Sequence, residues 1–271
     1  MKNFLPLLTS IIILAGCTSS GNTEPARHLK NVSIEYLDFA NDFRYPGAQL
    51  GYTAAEPYAT VCSYSYTKEL VNKVSGGFKL GTGGSSVNTF VYSADVTDTL
   101  IYSGTTVNVF TRPEYSYFSG DQPSNPNIYK LNEDGRILQF TRRDGYQVNY
   151  TYNGDLIIEK NLSGDTLRVF HMENHNLVRI TKNYKDNNGV TVSVLETLFE
   201  DFDENPNPLK DKYFLVGAFY RSFSKNNFSG ITQNYYVKLT NGTLKLLSTS
   251  SSSVPISYDQ SGYPEFGEYD Q

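Results

Sequence analysis

The chain has no tryptophan, two cysteines, two methionines and three histidines among 271 residues. It also has no apolar run as long as the roughly 20 residues a membrane-spanning helix takes. Each scarcity removes a class of function. With Cys62 the sole cysteine beyond position 17, an intramolecular disulfide framework is excluded. Basic residues number 23 against 28 acidic ones, net charge −5, and gather in no patch, which argues against nucleic acid or anionic headgroups as main partners. No Gly-x-Ser-x-Gly elbow occurs, and the glycine-rich stretch Gly81–Ser86 lacks the lysine of a phosphate loop. No catalytic or cofactor-binding residue is therefore assigned, and no cofactor is expected.

What is present begins with an address. Lys2 precedes an apolar core, Phe4–Leu14, of signal-peptide length, and Leu14-Ala15-Gly16-Cys17 closes it in the lipobox pattern of bacterial lipoproteins. Small residues at 15 and 16 suit a signal peptidase, and Cys17 offers the thiol that takes a thioether-linked diacylglycerol. The expected organisation is a signal peptide over 1–16, a flexible polar linker over 17–31 and a single antiparallel β domain over 32–271. The expected location is the bacterial outer membrane, with the lipid on Cys17 as the membrane attachment and either the surface or the periplasmic face open to the domain. Removal of the leader takes Lys2 away and leaves the mature chain at −6.

The 22 tyrosines, 16 phenylalanines and 21 glycines suit pleated, half-buried surfaces punctuated by turns. Tyr146, Val148, Tyr150 and Tyr152 alternate with Gln147, Asn149, Thr151 and Asn153, a period of two that belongs to a strand. Asp144-Gly145, Asn153-Gly154, Ser163-Gly164 and Asn241-Gly242 supply tight turns, so neighbours in sequence pair in space. The fold class is all-β, an antiparallel meander forming a barrel or strongly curved sheet. One segment departs from the pattern: Asn207 suits a helix N-cap, Pro208 the first helical position, and Leu209, Tyr213, Val216, Tyr220 and Phe223 recur at helical spacing. A short helix near 208–223, packed against the sheet or plugging one end of it, is predicted. Gly76-Gly77, Gly81–Ser86 and Ser248–Ser253 read as loops.

Few residues carry metal or redox chemistry. His171 and His175 lie four apart across a hairpin tip, Glu173–Asn176, with no third ligand nearby, and read as solvent-facing. Asp201, Asp203 and Asn205 imitate the start of a calcium loop. Pro206 at the sixth position and Lys212 at the twelfth exclude an EF-hand and leave an irregular calcium site as the alternative. Cys62, without a His or Lys beside it, reads as a small buried apolar residue.

The segments Phe202–Leu209, Ser224–Asn227 and Tyr258–Pro264 together resemble a bacterial lipoprotein family of unknown function, common in gut anaerobes and described as having a porin-like fold. The Tyr-Asp-x-x-Gly-Tyr piece is also similar to YD-repeat proteins. The family resemblance implies an antiparallel barrel or curved sheet and no assigned activity. The expected function is a non-enzymatic binding or assembly module of the cell envelope, with a glycan, peptide or envelope protein as partner. The alternatives are a carbohydrate-active or other hydrolase with an unrecognised site, and a structural spacer.

Overall fold

The computed structural model describes residues 27–37, 61–82, 88–113 and 125–269, with side chains described outside 78–95 and 113. The leader, Cys17 and the linker through Ala26 lie outside the described residues. Among the described residues fifteen strands form one antiparallel sheet. The first five are β1 (Leu29–Ser33), β2 (Val61–Thr67), β3 (Leu70–Thr82), β4 (Asn88–Ser103) and β5 (Thr106–Pro113). Six short hairpin strands follow: β6 (Asn127–Leu131), β7 (Ile137–Thr141), β8 (Gln147–Asn153), β9 (Leu156–Asn161), β10 (Thr166–Glu173) and β11 (Asn176–Lys185). The last are β12 (Thr191–Pro206), β13 (Asn226–Lys238), β14 (Leu244–Ser253) and β15 (Gly267–Tyr269).

Each strand from β1 to β14 pairs with its sequence neighbours, and β15 returns to pair with β1. The sheet is a meander that does not close, with β14 and β15 as its edges. The β10–β11 hairpin turns on Asn174 and His175, at φ 50° and 65°, the left-handed pair of a two-residue turn. Gly76 and Gly77 lie inside β3, where the pairing with β4 shifts between Ser75 and Gly77, so this pair marks a bulge and the expected loop is absent there. Ser248–Ser253 likewise belongs to β14, paired residue by residue with β13. Backbone pairing has overridden a polar, low-complexity composition.

Alternation sends one face of the strands inward. Val32, Cys62, Tyr64, Val74, Tyr129, Phe140, Val148, Ile157 and Phe170 are all buried there. What they bury against is the segment predicted to be helical. Residues 207–224 contain no α-helix: Lys210, Lys212, Leu215 and Ala218 each donate their amide to the carbonyl three residues back, at 2.9–3.2 Å. Only Arg221–Phe223 makes a 3-10 helix. The correction has two physical causes. Asp211 and Gly217 sit at φ 59° and 69°, where a right-handed helix cannot continue. Every residue from Tyr213 to Ser224 is buried, so no solvent-facing side exists for an amphipathic helix to present.

This plug fixes the curvature of the sheet. Phe214 meets Tyr102 of β4 and Tyr129 of β6, with ring centroids 5.8 and 6.4 Å away. Phe219 meets Tyr150 of β8, Phe223 meets Phe170 of β10 at 5.0 Å, and Tyr220 meets Phe199 of β12. Arg221 donates to the carbonyls of Tyr36, just after β1, and of Phe228 in β13. One short segment touches strands from β4 to β13 and the turn after β1 only because the sheet is wrapped around it. Asn207 ties the two ends of the plug: its Oδ1 accepts from the Leu209 amide at 2.9 Å, and its Nδ2 donates to the carbonyls of Arg221 and Ser224.

Candidate functional site

Polar side chains converge at three places. The first is sealed. Arg168 donates from Nε to Glu159 Oε1 at 2.8 Å and from Nη2 to Oε2 at 2.6 Å, while Tyr150 donates its hydroxyl to Oε2 at 2.8 Å and Tyr220 meets Nη1. Glu159 and Arg168 are 2% and 8% exposed. Burial, followed by the Glu159 charge, pushes the Tyr150 hydroxyl well above its ordinary pKa. A buried ion pair with its oxygens and nitrogens bonded in this way orients its neighbours and admits no substrate.

The second holds the expected calcium residues, which the structure distributes among different neighbours. The Asp203 carboxylate accepts from the amides of Asn205 and Asn227 and from Asn227 Nδ2, at 3.0–3.2 Å. Asp201, at φ 56°, lies beside Gly230, and the Asn205 side-chain oxygen Oδ1 faces Gly262. Asn227 also receives the Tyr36 hydroxyl on its Oδ1 at 3.0 Å. Asp203 thus locks β12 to β13 through the chain's own N–H donors. Among the described residues no group of three or more His, Cys, Asp or Glu is placed to hold a metal. His171 contacts Arg179 on the outer face at 3.2 Å, and burial followed by that cation lowers its pKa; His175 sits in its turn. Cys62 is buried, with Sγ 3.7 Å from the Gly76 carbonyl.

The third place is open and lies where the ends of the domain meet. β15 pairs with β1 through Leu29–Tyr269 and Asn31–Glu268, and the Asn31 side chain donates to Glu268 Oε2 at 2.9 Å. Gly267 is required there, because a Cβ would fall 1.9 Å from the Asn31 carbonyl oxygen. Beside this seam lies a cleft of about 600 Å³ lined by Arg27, Asp259, Tyr263, Glu265, Glu268 and Tyr269. The Tyr263 and Tyr269 rings are 5.0 Å apart. Arg27 places its guanidinium 5.2 Å from the Tyr263 centroid and 3.4 Å from Asp259 Oδ2. The Tyr269 hydroxyl oxygen is buried with no hydrogen-bond partner, and burial followed by Tyr36 and Asp259 raises its pKa.

A local turn builds this cleft, and the same turn runs through the meander. Asp259 Oδ1 accepts from the amides of Ser261 and Tyr263, and Gly262 donates to the Asp259 carbonyl. Asn132, Asn161 and Asp186 do the same for residue i+4, each with glycine at i+3. The Tyr-Asp-x-x-Gly-Tyr piece is therefore one instance of an Asx-capped hairpin turn. At Asp259 the second carboxylate oxygen faces Arg27. The sequence alone does not single out Arg27, Glu265, Glu268 or Tyr269; the Ser261-Gly262 pair is the signal in it that marks the turn.

No protein-family model matches the chain, and no curated protein matches it. Among solved structures, a porin-like protein from Bacteroides uniformis ATCC 8492 is similar with a TM-score of 0.35 and 11% identity, over 72% of this chain and 88% of that one. A porin-like protein from Bacteroides vulgatus ATCC 8482 gives a TM-score of 0.36 and 14% identity, over 73% and 87%. Both are described as porin-like, and the fold assignment itself rests on the strand order.

Proposed function

We propose that this chain is a lipid-anchored, non-enzymatic module of the bacterial outer membrane that binds an envelope ligand in the seam cleft. The observation that carries this reading is the cleft itself: an open, aromatic and acidic surface reached ten residues after Cys17. Ten extended residues span at most about 36 Å, which holds the cleft close to the bilayer if Cys17 bears the lipid. The outer face supports a domain standing in water. Cross-strand rows there carry Lys160, His171, Arg179, Glu196 and Asn234, and each Lys or Arg facing lipid at mid-depth costs about 2–4 kcal/mol. Among the described residues the plug occupies the space beneath the strands and the seam cleft is open to solvent, which favours binding over the hydrolase reading, which asks for a deep pocket.

Two measurements test the proposal. Metabolic labelling with an alkynyl fatty acid marks the wild-type chain and leaves Cys17→Ala unmarked; label on the variant overturns the anchor. A chemical-shift screen of soluble glycans, peptidoglycan fragments and peptides moves Tyr263 and Tyr269 resonances for at least one class. Silence across the panel, or shifts that survive Asp259→Asn with Glu268→Gln, overturns the site.

A further inference from the structure

We infer that the seam cleft recognises a guanidinium- or ammonium-bearing side chain on a basic peptide, and that Arg27 occupies it as an internal competitor. This rests on the reading of the cleft as the binding site. Three carboxylates, Asp259, Glu265 and Glu268, line the cleft with two tyrosine rings, and among the described residues Arg27 is the one cation there. Carboxylates beside aromatic faces are the chemistry that holds organic cations. The cleft already shows the mode: the Arg27 guanidinium sits over the Tyr263 ring and against Asp259.

That internal contact is built to be displaced. The Arg27 and Asp259 side chains are each about one third exposed, at 36% and 35%, and pair at 3.4 Å, the geometry of a weak surface ion pair. Glu265 and Glu268 remain as acceptors for an incoming donor, since the bond to Glu268 comes from the neutral Asn31 amide. Arg27 is also the first described residue and lies two residues before β1, so a basic peptide that displaces it frees a side chain of the segment leading into the sheet.

The experiment uses the full chain with N-acetyl-arginine amide as probe and N-acetyl-citrulline amide as its neutral isostere, followed by NMR at Tyr263 and Tyr269. Removing an occupant that fills the site about nine-tenths of the time raises apparent affinity about tenfold, equivalent to about 1.4 kcal/mol. The arginine probe is therefore expected to bind Arg27→Gln about tenfold more tightly than wild type, and Asp259→Asn more weakly. In wild type its affinity falls with added salt, which tests charge recognition without any variant. Equal affinity in wild type and Arg27→Gln, equal binding of citrulline, or salt-independent binding overturns the inference. If a neutral glycan shifts Tyr263 and Tyr269 while the arginine probe does not, the cation inference fails and the cleft reading stands. If no probe shifts them, both fail.

Discussion

Two parts of one sheet follow the same alternation and end in opposite states. The inward row Ile157–Phe170–Ile180–Thr197 is buried, and its continuation across β13 and β14, Gln233 and Ser250, is half-buried and then exposed. The difference lies in what covers the strands. The plug lies under β8, β10 and the second half of β12, whereas every residue of β14 is exposed. There Leu244, Leu246 and Leu247 are 50%, 50% and 63% exposed. Alternation states which face a side chain takes; burial is decided by a separate segment far along the chain.

The contrast breaks first at the plug. Phe219 is 1% exposed and packs against Tyr150, Tyr213, Tyr220 and Phe223. Phe219→Ala is expected to cost about 3–5 kcal/mol by cavity formation, whereas Leu246→Ala in β14 stays within about 0.5 kcal/mol. Urea unfolding of both variants checks this, and a Phe219→Ala midpoint as little changed as that of Leu246→Ala would show that the plug does not hold the sheet. The next effect is electrostatic. Glu159→Gln leaves the Arg168 guanidinium buried without its counter-charge, at a cost of about 3 kcal/mol. The pair replaced together, Glu159→Leu with Arg168→Met, recovers most of that loss. Equal unfolding midpoints for the single and double variants would refute this account of the pair.

The sequence disclosed what depends on nearest neighbours. The hairpin turns at Gly145, Gly154 and Gly164 and the strands between them were legible because period-two alternation and turn chemistry are local properties. The segment 207–224 was legible as an apolar insert with Asn207 at its start. It was misread as a helix because helical spacing of Leu209, Tyr213, Val216, Tyr220 and Phe223 also arises when every side is covered. The seam cleft was hidden for a related reason. Arg27 and Asp259 are 232 residues apart, and only the return of β15 to β1 brings them together.

The smallest effect lies at an exposed tip, where the same two charge types meet outside the plug. Arg142 Nε lies 2.9 Å from both oxygens of Asp144, whose Oδ1 also accepts the Tyr146 amide at 3.0 Å. The Arg142 hydrogen bond is the main cause holding the Asp144 pKa down at about 2. A carboxyl depressed from about 3.9 in the unfolded chain stabilises the fold above about pH 4 and loses that contribution as pH falls toward 2. At 54% side-chain exposure for Asp144, solvent screening keeps the stability change small, so the titration is the better readout. Carboxyl-carbon NMR should place the Asp144 midpoint near 2 in the wild type and move it toward 3.9 in Arg142→Gln. A wild-type midpoint near 4 would mean that the tip is too mobile for the pair to form. The contrast between covered and uncovered parts of the sheet would then extend to the hairpin turns themselves.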